Sequence, residues 1–145
     1  MRFPKWLGCM LMLLAITASG PVAAADTVQV VANTTVGITE IPAATLRAIF
    51  SMRIRNWPNG EPVQVFVLPD RDGLHITFSR EVLRIYPYVL RDTWDRMVFT
   101  GTGKAPIEVS SGEKLMQLVA DTPGAIGYVN KGSVSHETIR ILEIR

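Results

Sequence analysis

Residues 63–85 read VQVFVLPDRDGLHITFSREVLRI, and this stretch decides the fold class. The run at 63–68 is β-branched and apolar, with Gln64 its one polar residue. Such a run reads as a strand covered on both faces. Pro69-Asp70-Arg71-Asp72-Gly73 then breaks the chain by its turn chemistry. Beyond it Leu74, Phe78, Val82 and Ile85 recur at the spacing of one helix face, and Asp72 stands where a helix N-cap is expected. Strand, tight loop and helix follow one another within about twenty residues, the grammar of an α/β domain.

The same alternation extends outward in both directions. Residues 27–32 (TVQVVA) read as a strand that runs into Asn33-Thr34-Thr35, a polar loop. Pro42 opens a helix whose Leu46, Ile49 and Phe50 share a face, and Asn56-Trp57-Pro58-Asn59-Gly60 is a turn cluster. Pro87 starts a further helix with Leu90, Trp94, Met97 and Val98 expected inward. Gly101-Thr102-Gly103-Lys104-Ala105-Pro106 is a loop by composition. Ser110 and Glu113 have capping-box spacing ahead of Leu115, Leu118 and Val119. Pro123-Gly124 stops that helix, residues 125–129 (AIGYV) form a third strand, and residues 138–144 offer a fourth. The expectation is an α/β domain with a mainly parallel sheet flanked by helices.

The chain has 145 residues, with 15 basic and 13 acidic side chains and a formal net charge of +2. One domain is the natural reading of that length. Its first 25 residues have the three parts of a secretory signal: a basic start at Arg2 and Lys5, an uncharged apolar run over 7–18, and Ala23-Ala24-Ala25 as a cleavage site. The apolar run is too short to span a bilayer. Cleavage there would leave residues 26–145 as a single domain, periplasmic or secreted. With Arg2 and Lys5 gone, thirteen basic residues face thirteen acidic ones, so the electrostatic footprint of nucleic-acid binding is missing. Cys9, the chain's one cysteine, lies in the leader, which excludes disulfide and thiol chemistry from the domain that follows.

Metal and catalytic patterns are equally thin. His75 and His136 match no zinc spacing, and a lone histidine beside a loop reads as a surface or helix-start residue. Gly101-Thr102-Gly103-Lys104 lacks the first glycine and the final hydroxyl of a phosphate loop. No G-x-S-x-G elbow occurs, and no nucleophile–base pair suggests itself. Asp70 and Asp72 read as turn and cap residues. What remains is positional: ligands of open α/β sheets sit beyond strand carboxyl ends, beside helix N-termini. Two loops qualify, Asn33-Thr34-Thr35 and Asp70-Arg71-Asp72-Gly73. The candidate contacts are Arg71, Gly73 and Thr77, with Thr34 and Thr35 from the neighbouring loop, and an ordinary capped turn is the competing reading.

Ile41-Pro42-Ala43-Ala44-Thr45-Leu46-Arg47-Ala48-Ile49-Phe50, then Ile54 and Trp57-Pro58-Asn59-Gly60, resembles the phosphate-binding proteins of ABC transporters. In that family a helix ending in Ile-Phe precedes a G-x-I-x-x-W segment, with Met52 here at the Gly position. Pro123-Gly124-Ala125-Ile126-Gly127-Tyr128-Val129 is similar to the family's PGAIGYV strand, and Trp94, Phe99 and Gly101 fall in order between. The resemblance implies a single lobe of the type II periplasmic-binding fold, with phosphate or another small oxyanion as ligand and no cofactor. The family's Arg-x-x-Gly-Ser-Gly-Thr anion loop is altered: Asp70 stands at the Arg position, and Leu74, His75 and Ile76 replace Ser-Gly-Thr. Two functions follow as expectations. One is a non-enzymatic receptor holding an oxyanion weakly or with a partner that completes the cleft. The other is a ligand-free interaction or regulatory module docking on a sensor, porin or transport component.

Overall fold

The computed structural model describes residues 27–145; the leader and Cys9 lie outside the described residues. Six strands and four α-helices alternate in the order β1 (Val28–Asn33), β2 (Glu40–Ile41), α1 (Ala43–Phe50), β3 (Gln64–Val67), α2 (Gly73–Thr77), α3 (Pro87–Phe99), β4 (Ile107–Glu108), α4 (Gly112–Asp121), β5 (Ala125–Asn130) and β6 (Ile139–Ile144). A 3-10 turn, Thr34–Val36, follows β1, and a π-helical stretch, Phe78–Leu83, continues α2. The strands form one sheet in the order β2-β6-β1-β5-β3-β4. Three of the five neighbouring pairs, β2/β6, β3/β4 and β3/β5, are parallel, as the α/β reading requires. β1 is the exception, running antiparallel to both β5 and β6.

Both faces of the sheet are covered. Five consecutive residues of β5, Ala125 to Val129, are buried, which is why their sequence shows no polar alternation. A β-carbon added to Gly127 would lie 2.6 Å from Leu115 Cδ2 and 3.3 Å from Val119 Cγ2, so this glycine lets α4 press onto the strand. Tyr128, pointing to the opposite face as strand alternation dictates, stacks on Phe78 with ring centroids 4.0 Å apart, and Phe50 meets Phe78 edge-on at 4.8 Å. Burying Trp57 and Trp94 is tolerable because each indole N–H donates to a backbone carbonyl: Gly124 O at 2.9 Å and Phe50 O at 2.8 Å.

Several local expectations shift. Ser111, not Ser110, caps α4, accepting from the Lys114 amide at 3.2 Å. Val98 is solvent-exposed, because α3 buries only the stripe through Leu90 and Trp94. Asn33, read as loop, is buried and donates its side-chain amide to the Val119 and Ala120 carbonyls, capping the end of α4.

Gly124 follows the α4 stop with φ 73°, and an added β-carbon would lie 2.3 Å from the Pro62 carbonyl oxygen. Gly124→Ala is therefore expected to lower stability by about 2–4 kcal/mol. Gly73→Ala, with open space around its α-carbon, should stay within about 0.5 kcal/mol, both variants being compared by urea titration.

Candidate functional site

The direction of β1 divides the sequence-predicted site. Val28 pairs with Asn130 and Ala32 with Ile126, whereas Gln64 lies beside Ala125 and Val65 beside Ile126. The exit of β1 is thus at the end of the sheet where β3 and β5 begin, and the exit of β3 is at the other end. Thr34 and Thr35 are not neighbours of Arg71, Gly73 and Thr77. The expectation of one shared site took both exits to be strand ends of parallel neighbours, and the antiparallel β1 overturns it. Thr35 is committed locally: its hydroxyl accepts the Gly124 amide at 2.9 Å, and its own amide donates to Asn33 Oδ1 at 3.0 Å.

At the β3 exit the loop and α2 bring together Arg71, Gly73 and Thr77. Asp72 is the helix cap expected from sequence, its Oδ1 accepting from Leu74 N at 2.8 Å and His75 N at 3.4 Å. Gly73 is the first helical residue, and Thr77 turns its hydroxyl back onto the Gly73 carbonyl at 2.9 Å. Arg71 is exposed and forms no hydrogen bond or ion pair with any described residue.

A polar network lies beneath this loop. Arg91, on α3, grips Asp70 with two parallel hydrogen bonds, Nε to Oδ2 and Nη2 to Oδ1, both 2.9 Å. Its Nη2 also reaches Glu108 Oε2 at 3.2 Å, and its guanidinium lies over the Trp94 ring, 5.2 Å from the centroid. This fork geometry is the strong form of an Arg–carboxylate pair. It holds the Asp70 carboxyl below its ordinary range.

His75 corrects the surface reading: it is 1% exposed. Tyr128 Oη accepts the Leu68 amide at 2.8 Å, so its single proton is free to go to His75 Nδ1, with which it is hydrogen-bonded. That assignment leaves the His75 proton on Nε2, which is buried without a hydrogen-bond partner and stands 3.8 Å from Asp70 Oδ1. Burial lowers the His75 pKa despite the opposing pull of Asp70, and burial raises that of Tyr128 far above the phenolic range.

Sequence reasoning missed Arg91, Glu108 and Tyr128 as members of this site. Asp70 at a position where the resembling motif has a cation was the available signal that some other cation must face the loop. Outside the network runs an open groove of about 560 Å³ bounded by Ile76, Pro87, Tyr88 and the carboxylates of Asp70, Asp92 and Asp95. Among the described residues there is no group of three or more His, Cys, Asp or Glu side chains placed to hold a metal ion.

In a sheet covered on both faces, a polar loop at a strand exit beside a helix N-terminus is where α/β domains commonly place a ligand. The profile of the PBP superfamily domain matches residues 17–140, and the chain belongs to that family. Among solved structures the fold is similar to an ABC-type phosphate transport receptor from Vibrio cholerae, at 16% identity and a TM-score of 0.63, covering 81% of this chain and 46% of the receptor. It is also similar to PstS from Borrelia burgdorferi, at 16% identity and a TM-score of 0.64, covering 82% and 47%. The chain therefore spans less than half the length of these relatives. No curated protein gives a significant match.

The network makes acid destabilising in two stages. A histidine whose pKa is depressed on folding contributes stability that is complete above the unfolded value of 6.5 and is lost as pH falls below it, because only the unfolded chain takes up the proton. The depressed Asp70 adds a second loss below 3.8. Urea titrations between about pH 5 and 6.5 should show stability falling by at most about 1.4 kcal/mol per pH unit, and His75→Gln should flatten that limb. An equally steep limb in the variant would remove His75 as its source.

Proposed function

We propose that this protein is an exported, non-enzymatic binding module of the periplasmic-binding type that acts through contact with another protein. In this reading the β3–α2 loop does not hold a free oxyanion. The observation carrying it is that the loop contains its own anions. Asp72 accepts the Leu74 and His75 amides, the donors that a helix N-terminus would otherwise offer. Asp70 takes the Nε and Nη2 donors of Arg91. A phosphate entering here would meet donors already taken, with Arg91 paired to Asp70, Asp92 paired to Arg96, and the carboxylates of Asp72 and Asp95 nearby. The chain spans under half the length of the phosphate-binding proteins it resembles, so it corresponds to only part of the cleft they form. The partner class consistent with this is a membrane transport or sensor component.

Export is part of the same proposal. The leader-like residues 1–25 support it, and among the described residues no helix is long and apolar enough to cross a membrane. N-terminal sequencing of exported protein should begin at Asp26.

A second reading is favoured by Arg71, an unpaired cation on the same loop. There the domain takes a small oxyanion such as phosphate, weakly or with a partner completing the site. Calorimetric titration with phosphate and sulfate, with mass followed by light scattering, separates the two. The first reading expects no saturable heat at millimolar anion from a folded protein. Saturable phosphate heat that Arg71→Ala abolishes would establish the second in its place.

A further inference from the structure

At the opposite end of β3 from the acidic loop, a cavity of about 520 Å³ opens between the strand, the end of α1 and the loop before β4. Its volume is in the range of small-molecule sites. The floor is apolar, formed by Met52, Ile54, Val63 and Val65, and the rim carries Arg55 and Lys104. No acidic side chain lines it, and neither cation has a carboxylate partner among the described residues. The loop is wrapped around Arg55, whose guanidinium donates to the Thr102 carbonyl. A β-carbon at Gly103 would lie 3.2 Å from Arg55 Nη2, a tight approach that a small shift of the guanidinium would relieve.

Met52 adds an independent observation. It sits just past α1 with φ 60°, the left-handed backbone that side chains with a β-carbon adopt at a cost and glycine adopts freely. The turn is made by backbone bonds, Met52 N to Ile49 O at 2.9 Å and Arg53 N to Ala48 O at 2.8 Å, which glycine would make equally well. The turn therefore does not explain the side chain, which packs at the edge of the core and lines the cavity. Strain retained at a cavity wall is a pointer to function.

The geometry points to a binding site for a small organic acid with an apolar body. Its carboxylate would lie at the Arg55 and Lys104 rim, and its hydrocarbon part would lie on Met52, Ile54, Val63 and Val65. The apolar floor sets this ligand apart from inorganic anions, and the two cations without carboxylate partners set it apart from neutral apolar molecules. The site is separate from the acidic loop and does not depend on that loop's role.

The test is calorimetric titration of the exported protein with octanoate, with octanol and inorganic phosphate as controls. Octanoate is expected to saturate with a Kd of about millimolar, and neither control should saturate in the same range. Lys104→Ala should weaken octanoate binding about three- to fivefold. Met52→Gly should weaken it about five- to tenfold while leaving the thermal midpoint unchanged or higher, an outcome a purely structural methionine would not give. No saturable octanoate binding by folded wild-type protein would overturn the proposal. So would octanol binding as well as octanoate, or octanoate affinity unchanged in both variants.

Discussion

Placing a tyrosine hydroxyl in the middle of an apolar core imposes a strict condition, because a buried polar group without partners costs about 1–3 kcal/mol. Tyr128 is fully buried, and its hydroxyl meets the condition by linking two elements. It accepts the Leu68 amide just past the end of β3 and pairs with His75 on α2. The strand exit and the helix that follows are thus fixed to one atom of β5, while the same ring stacks on Phe78. The turn Pro69–Asp72 is left little freedom between those two anchors, and Asp70 is brought within reach of Arg91. The charge network at the surface is in this sense downstream of a single hydrogen-bonding requirement in the core.

That ordering also makes the turn between β3 and α2 self-sufficient. The backbone path from strand to helix is retained by Asp72 capping and by the Tyr128 link, neither of which needs an external ligand. The Asp72 carboxylate also complements the partial positive charge at the helix N-terminus. The Arg91 fork, lying over Trp94, then neutralises Asp70 without a mobile counter-ion.

Much of the architecture was legible because it rests on local signals. The apolar runs of β3 and β5, the Asp72 cap and Pro87 at the start of α3 each announce themselves within a few residues. β2 and β4 were not legible, being two-residue edge strands whose pairing is determined by neighbours distant in sequence. The direction of β1 was not legible either, because an apolar run has no polarity that tells parallel from antiparallel. That one ambiguity was enough to place Thr34 and Thr35 wrongly with Arg71. His75 was misjudged for a related reason: its burial comes from Tyr128, 53 residues away. The family resemblance was carried by short motifs, and the chain's membership in the PBP superfamily agrees with it.

The central position of β1 has a kinetic consequence. Val28 pairs with Asn130 and Val30 with Leu142, so the strand nearest the start of the domain is paired only with strands nearest its end. Apart from the short β3/β4 pair, no strand pairing of the sheet closes before β5 and β6 are present, and the contact order of the domain is correspondingly high. Chains of this topology fold slowly, because loop-closure entropy must be met before distant pairings stabilise anything. A nascent chain emerging from its N-terminus would carry β1 unpaired until residues 125–144 had been delivered.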